Sequence, residues 1–62
     1  MEFEYYKNIL AVSNYRQILQ INHDLIALDK ITIHGDTLKV LRLDKDKIVI
    51  HGVITKIEMK EA

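Results

Sequence analysis

Cysteine, proline and tryptophan are absent from this 62-residue chain, and glycine occurs only twice. Without cysteine there is neither a disulfide nor a thiolate ligand to staple the fold. Three scattered histidines would supply a structural zinc site only thinly. No apolar run exceeds four residues, as in Ile9–Val12, against the roughly 20 that a membrane span needs. The amino end, MEFEYYKN, is acidic and aromatic and lacks the hydrophobic region of a signal peptide. The chain is therefore expected to be cytoplasmic, without membrane insertion. An excess of one charge is missing too, because nine basic and nine acidic residues cancel and alternate in sign. A nucleic-acid binder normally concentrates cations on one face to displace counterions, and no such run exists here.

What is present is a 48% apolar fraction supplied mostly by isoleucine, leucine and valine. The length sets one domain, residues 1–62, and the abrupt start and charged tail KEA suit a piece of a somewhat longer protein. A chain this short buries only about 60% of the surface its unfolded form exposes. With disulfides and metal unavailable, the remaining remedy for a small core is association with another chain.

The segment ITIHG, Ile31 to Gly35, recurs as IVIHG, Ile48 to Gly52. In both, β-branched residues alternate with other types, which is the period of a strand. Leu41-Arg42-Leu43 leads through Asp44-Lys45-Asp46-Lys47 into Ile48, a short charged loop between two apolar runs, and predicts a hairpin. Each repeat also changes phase after its glycine. Ile31 and Ile33 are odd whereas Leu38 and Val40 are even; Ile48 and Ile50 are even whereas Val53, Ile57 and Met59 are odd. Glycine reaches positive φ cheaply, so a bulge or bend is expected at Gly35 and at Gly52. The amino half admits two readings. Asn14 with Gln17 makes a capping box, and Tyr15, Ile18 and Leu19 a helical stripe. The strand reading has Ile9–Val12, a turn at Ser13-Asn14, then Tyr15, Leu19 and Ile21 on one face. A turn at Asn22-His23-Asp24 then opens a strand at Leu25–Leu28.

Candidate chemistry is sparse. His34 and His51 stand at the ends of the repeated strands and could pair as metal ligands or as a base with its partner. In the expected hairpin the residue opposite His51 is near Lys39 or Val40. His34 is then roughly 17–20 Å away along the strand. They meet only if the bend at Gly35 folds the chain back, so exposed strand-end histidines are the simpler reading. His23 beside Asp24 resembles an oriented imidazole, yet turn chemistry explains the same residues. Asp44–Lys47 is too short for a calcium loop and has lysines where ligands belong. Phe3, Tyr5 and Tyr6 form an aromatic group without interleaved cations, suited to packing over the sheet or against a partner chain. No nucleophile elbow, phosphate loop, dinucleotide fingerprint or zinc spacing occurs. No catalytic, cofactor-binding or metal residues are assigned, and no cofactor is expected.

Taken in order, SNYRQIL (Ser13–Leu19), ITIHGDTLKVLRLD (Ile31–Asp44) and IVIHGVITKIEM (Ile48–Met59) resemble the YabP/YqfC family of sporulation proteins of endospore-forming bacteria. There a turn with Asn and an aromatic precedes an I-x-I-x-G-x-x-L-x-I segment, a short acidic loop and a closing I-x-I-x-G-x-I-x-x-I-E segment. Gly35, Leu38 and Val40 fit the first segment; Gly52, Ile54, Ile57 and Glu58 fit the second. The match covers roughly Ile9 to Met59. It departs at Asp29-Lys30, where the family tends to carry a longer turn with glycine. Both histidines fall on variable positions of the pattern. The resemblance implies an all-β domain without established catalytic activity, made in the mother cell during spore formation.

The expectation is an all-β fold: a small antiparallel sheet of about six short strands, bent or bulged at Gly35 and Gly52, sandwich-like or partly rolled. The expected function is that of a non-enzymatic structural or interaction protein of sporulation. The alternative is a small β-rich dimeric DNA-binding regulator, which would need its arginines and lysines on one face. A hydrolase using His34 or His51 is a third and weaker reading. A homodimer is expected because Leu38 and Val40 occupy one face of their strand and Leu41 and Leu43 the other. Ile48 and Ile50 likewise enclose Val49. Strands apolar on both sides are buried on both sides. The second cover must come from another subunit or from rolling the sheet at its glycines. Other sporulation proteins are possible further partners.

Overall fold

The computed structural model describes residues 1–59, in which every regular element is a strand. They are β1 (Glu2–Tyr6), β2 (Ile9–Ser13), β3 (Ile18–Ile21), β4 (Leu25–Leu28), β5 (Ile31–Leu43) and β6 (Lys47–Met59). All pairs are antiparallel, and the sheet order is β1-β2-β6-β5-β4-β3. The all-β expectation is met, and the helical reading of the amino half is excluded. The β-branched residues that line these segments suit a pleated, half-buried surface better than a helix.

Residues directly opposite in a ladder share a face, so the register gives the inner rows. Around β2 they run Phe3–Val12–Ile48–Leu43 and Tyr5–Leu10–Ile50–Val40. Around β4 they run Ile18–Leu28–Ile31–Met59 and Ile21–Ile26–Ile33–Ile57. In every row the two middle residues are at most 2% exposed, and all eight belong to one core cluster. A flat sheet could not bury these residues, since no other element among the described residues covers them. The extents of 28 × 21 × 18 Å are likewise too thick for a single layer. The long strands β5 and β6 therefore bend, and each end of the sheet becomes the lid of the other. Filling the middle of such a row is worth roughly 1.5–3 kcal/mol per aliphatic side chain.

The two halves are equivalent. β1, β2 and the start of β6 correspond to β3, β4 and the start of β5, related by a pseudo-two-fold between β5 and β6. Leu10 faces Ile50 as Ile26 faces Ile33, and Val12 faces Ile48 as Leu28 faces Ile31. The repeat continues to the backbone. The Gly52 N–H donates to the Asn8 carbonyl at 2.9 Å, and the Gly35 N–H to the Asp24 carbonyl at 3.1 Å. Asn8 and Asp24 are the residues that enter β2 and β4.

Three details differ from the sequence reading. First, the register shifts at Gly35 and opposite Gly52 as expected, but the extra residues are neighbours of the glycines, and a further one falls at Leu41. Thr37 and Leu38 together oppose Gly52, Leu41 is an extra residue between Val40 and Arg42, and Thr55 is an extra residue between Ile54 and Lys56. Ile57 and Met59 thereby return to the inner rows, and so does Leu43, opposite Ile48. Leu41 and Leu43 remain more than half exposed. Secondly, Ser13-Asn14 is not a hairpin turn, because β2 and β3 lie in opposite halves of the sheet. Tyr15 is buried in the connection between them, whereas Leu19 and Ile21 are exposed. Ile21 nevertheless ends an inner row on the core side, where Tyr15 is buried, whereas Leu19 is the unpaired residue between Ile18 and Gln20. Thirdly, Asp29-Lys30 closes a two-residue hairpin with Leu28 opposite Ile31, so the missing glycine does not break the pairing. Asp29 adopts φ 40° itself, which aspartate tolerates better than most residues.

Only Gly52 has the positive φ expected of both glycines, at 152°. A Cβ there would lie 2.9 Å from the Thr37 carbonyl oxygen and 3.0 Å from Leu38 Cα. Gly35 is constrained by contact instead: a Cβ would collide with the Val53 carbonyl oxygen and stand 2.7 Å from Leu38 Cδ2. Replacing either by valine should cost roughly 1–3 kcal/mol, a large share of what so small a domain has. Denaturant unfolding checks this. A Gly35→Val protein with the wild-type midpoint would show that the close approach does not matter.

Candidate functional site

The four polar features that the sequence offered are scattered by the fold. His34 lies on the outer face between Leu25 and Lys56, and His51 on the outer face between Ile9 and Lys39. Of the two residues expected opposite His51, Lys39 and Val40, it is Lys39 that pairs with it. By the pseudo-two-fold the two rows are copies, one in each half of the molecule, and the histidines do not share a site. The repeated IHG is a repeated piece of backbone. His23 is exposed, and its carbonyl accepts from the Leu38 N–H at 2.6 Å. With the Asp24 carbonyl it serves the bent part of β5, which makes Asn22–Asp24 a turn with a backbone task. Asp44–Lys47 is an exposed hairpin tip in which the Asp44 N–H donates to the Lys47 carbonyl at 2.8 Å. Arg42 Nε reaches Asp44 Oδ2 at 2.9 Å, and both side chains are open to solvent. The amino-terminal aromatics do not form a packed cluster: Phe3 and Tyr5 stand at the ends of inner rows and Tyr6 on the outer face, all exposed.

The densest polar group centres on Glu58. His34 Nε2 donates to Glu58 Oε1 at 2.6 Å, and Lys56 Nζ lies 3.5 Å from Glu58 Oε2. The His34 hydrogen bond, then the Lys56 charge, hold the Glu58 carboxyl below its usual range. Chemically this is an oriented imidazole on an open surface. The nearby Thr55 hydroxyl is turned to the His34 carbonyl at 3.3 Å. Among the described residues no three His, Cys, Asp or Glu side chains are grouped so as to hold a metal ion.

A second group closes one end of the sandwich. The segment Asn14–Gln17 passes from the β5–β6 hairpin tip to the β4–β5 turn. At one end the Asn14 N–H donates to the Asp46 carbonyl at 2.8 Å, and the buried Tyr15 hydroxyl donates to the Asp44 carbonyl at 3.2 Å. Burial, reinforced by the charges of Asp46 and Asp44, pushes the Tyr15 phenol up. At the other end Asp29 receives two backbone N–H groups, Arg16 at 2.6 Å and Gln17 at 2.7 Å. The Asp29 N–H in turn donates to the Gln17 carbonyl at 3.1 Å. The Arg16 N–H, followed by that of Gln17, holds the Asp29 carboxyl below its ordinary value. Beside this strap a shallow open groove is lined by Met1, Arg16, Lys30, Ile31 and Met59. Asp29 is the residue that sequence reasoning passed over. Its position in a two-residue turn is visible in the sequence, but its partners lie more than ten residues upstream.

No helix among the described residues is long and apolar enough to cross a membrane. Compared with protein families, curated proteins and solved structures, the chain matches none.

Two outcomes follow from this geometry. Replacing His34 and His51 together with glutamine should leave the fold intact, since neither is in the core. Added zinc should leave the thermal midpoint of wild type and variant alike unchanged. A zinc-dependent rise present only in the wild type would restore the shared-site reading. The Asp29 strap makes stability acid-sensitive. Because its folded pKa is depressed, its contribution is present above the unfolded value of about 3.9 and is lost as pH falls through the folded one. Asp29→Asn should therefore lower the thermal midpoint at pH 7 and flatten its fall below about pH 4. Parallel melting curves for the two proteins from neutral to acid pH would refute the strap.

Proposed function

We propose that this chain is a non-enzymatic structural or interaction module that works as a homodimer. The observation that carries the reading is the pattern of apolar side chains left at the surface. Rolling supplies one cover for the sheet, yet the row ends Leu43, Ile57 and Met59 are 53%, 42% and 70% exposed. Leu41, Val53, Leu19 and Tyr6 are more than half exposed as well. So many large apolar groups on so small a body are what a contact surface looks like. The resemblance of Ser13–Leu19, Ile31–Asp44 and Ile48–Met59 to YabP/YqfC proteins supports a setting in spore formation. By that resemblance it acts in the cytoplasm of the mother cell, and other sporulation proteins are its further partners.

A second reading rests on one feature. Lys39, Arg42, Lys47 and His51 share the outer face formed by the end of β5 and the start of β6, as a dimeric DNA-binding regulator would want. Glu2 and Glu4 stand at the far ends of the same rows, opposite Ser13 and Ala11, and Arg42 is already paired with Asp44. The first reading is therefore preferred.

Sedimentation at roughly 100 µM should give the dimer mass, and the thermal midpoint should rise with protein concentration. A monomer at that concentration defeats the homodimer. Titration with random duplex DNA at low salt separates the two readings. Binding tighter than about micromolar that collapses with added salt would transfer the assignment to the regulator.

A further inference from the structure

We infer that the second copy docks on the free edge of β6, at residues Thr55–Met59, by antiparallel strand pairing about a two-fold through Ile57. This rests on the homodimer reading above and names the surface it uses. β6 has β5 along one side for its whole length. On its other side β2 pairs only from Lys47 to His51, and no other described strand lies alongside the rest. The backbone from Val53 onward thus presents unpaired groups, a template for another strand.

Charge selects this edge among those available. Across a perpendicular two-fold, residues of equal parity face one another on the same side of the sheet. With Ile57 on the axis, Lys56 faces Glu58 of the partner subunit, and Glu58 faces the partner's Lys56. Moving the axis to Lys56 or to Glu58 sets like charges opposite, so the sequence Lys-Ile-Glu fixes one register. Edge β1 fails the same test, because an axis at Phe3 opposes Glu2 to Glu4 and an axis at Glu4 opposes it to itself. Edge β3 carries no charge to fix a register. The free part of β5 carries Lys39 and Arg42 with no acid between them.

The same pairing completes the apolar rows. The inner row Ile21–Ile26–Ile33–Ile57 would continue into Ile57 of the partner subunit and run through both protomers. Ile57, now 42% exposed, gains the neighbour it lacks. The outer row His34–Lys56 would continue onto the partner's Glu58.

The test is a charge exchange read by sedimentation. Lys56 and Glu58 are both solvent-exposed, so single changes leave the core untouched; circular dichroism verifies the fold. Lys56→Glu should place four acids around the axis and weaken the dimer about tenfold or more. Glu58→Lys should do the same with four bases. The double variant Lys56→Glu, Glu58→Lys restores opposite charges across the axis and should recover most of the affinity, although it loses the His34 hydrogen bond. A dimer indifferent to both single changes, or not recovered in the double variant, overturns this surface while leaving the homodimer in place. A wild-type monomer at roughly 100 µM overturns both.

Discussion

Everything in this molecule depends on how closely β5 and β6 approach where they bend. Gly35, Leu38 and Gly52 meet there with no room for another carbon: the two absent Cβ atoms would fall on the Val53 and Thr37 carbonyls and on Leu38. Because the crossing is tight, two long strands can leave one layer and enter the other within a few residues. Only then do the inner faces of the two halves meet and exclude water from Ile26, Ile33, Ile48 and Ile50. Leu38, buried at the crossing itself, fills the space the glycines leave. Thr37 stands at φ 54°, an unfavourable conformation for a β-branched residue, so the bend is held against local backbone preference by the packing on either side.

A pseudo-symmetric arrangement explains why so little of the polar sequence converges. Features written twice are placed twice, one per half, on outer faces that look away from each other. The two histidines, the two flanking lysines and the two glycine–carbonyl hydrogen bonds all obey this rule. The places where the halves differ are the more informative ones. Glu58 in one half takes the position that Arg42 holds in the other, which gives the second half its His34–Glu58–Lys56 group and the edge charge pattern that follows from it. The strap Asn14–Gln17 is likewise unmatched, since the chain needs only one connection between β2 and β3.

Much of the fold was legible because its signals are local. Alternation placed Ile31–Ile33 and Ile48–Ile50 in strands, and the charged loop Asp44–Lys47 placed the longest hairpin and narrowed the residue opposite His51 to Lys39 or Val40, of which Lys39 is the partner. Asn22–Asp24 announced its turn. The bends at Gly35 and Gly52 were legible, because glycine marks them; the extra residues beside and opposite them, Thr37 and Thr55, and the further one at Leu41 were not, since none is unusual in composition. The burial of Tyr15 and the grip of Asp29 on Arg16 and Gln17 could not be read. Both depend on contacts between segments that only the rolled sheet brings together.

The strand order also fixes when these pairings become possible. β1 with β2, and β3 with β4, are hairpins that close within a few residues and so on a microsecond scale. Neither can bury its inner face alone. β4 must await β5, and β2 must await β6, whose pairing residues Lys47–His51 are written more than thirty positions after their partners Ile9–Ser13. On a ribosome, where the amino end emerges first, the β1–β2 hairpin is therefore made before the other described strands and is among the last of them to be housed. Until the closing strand arrives, Leu10 and Val12 remain exposed to whatever else is in the cell.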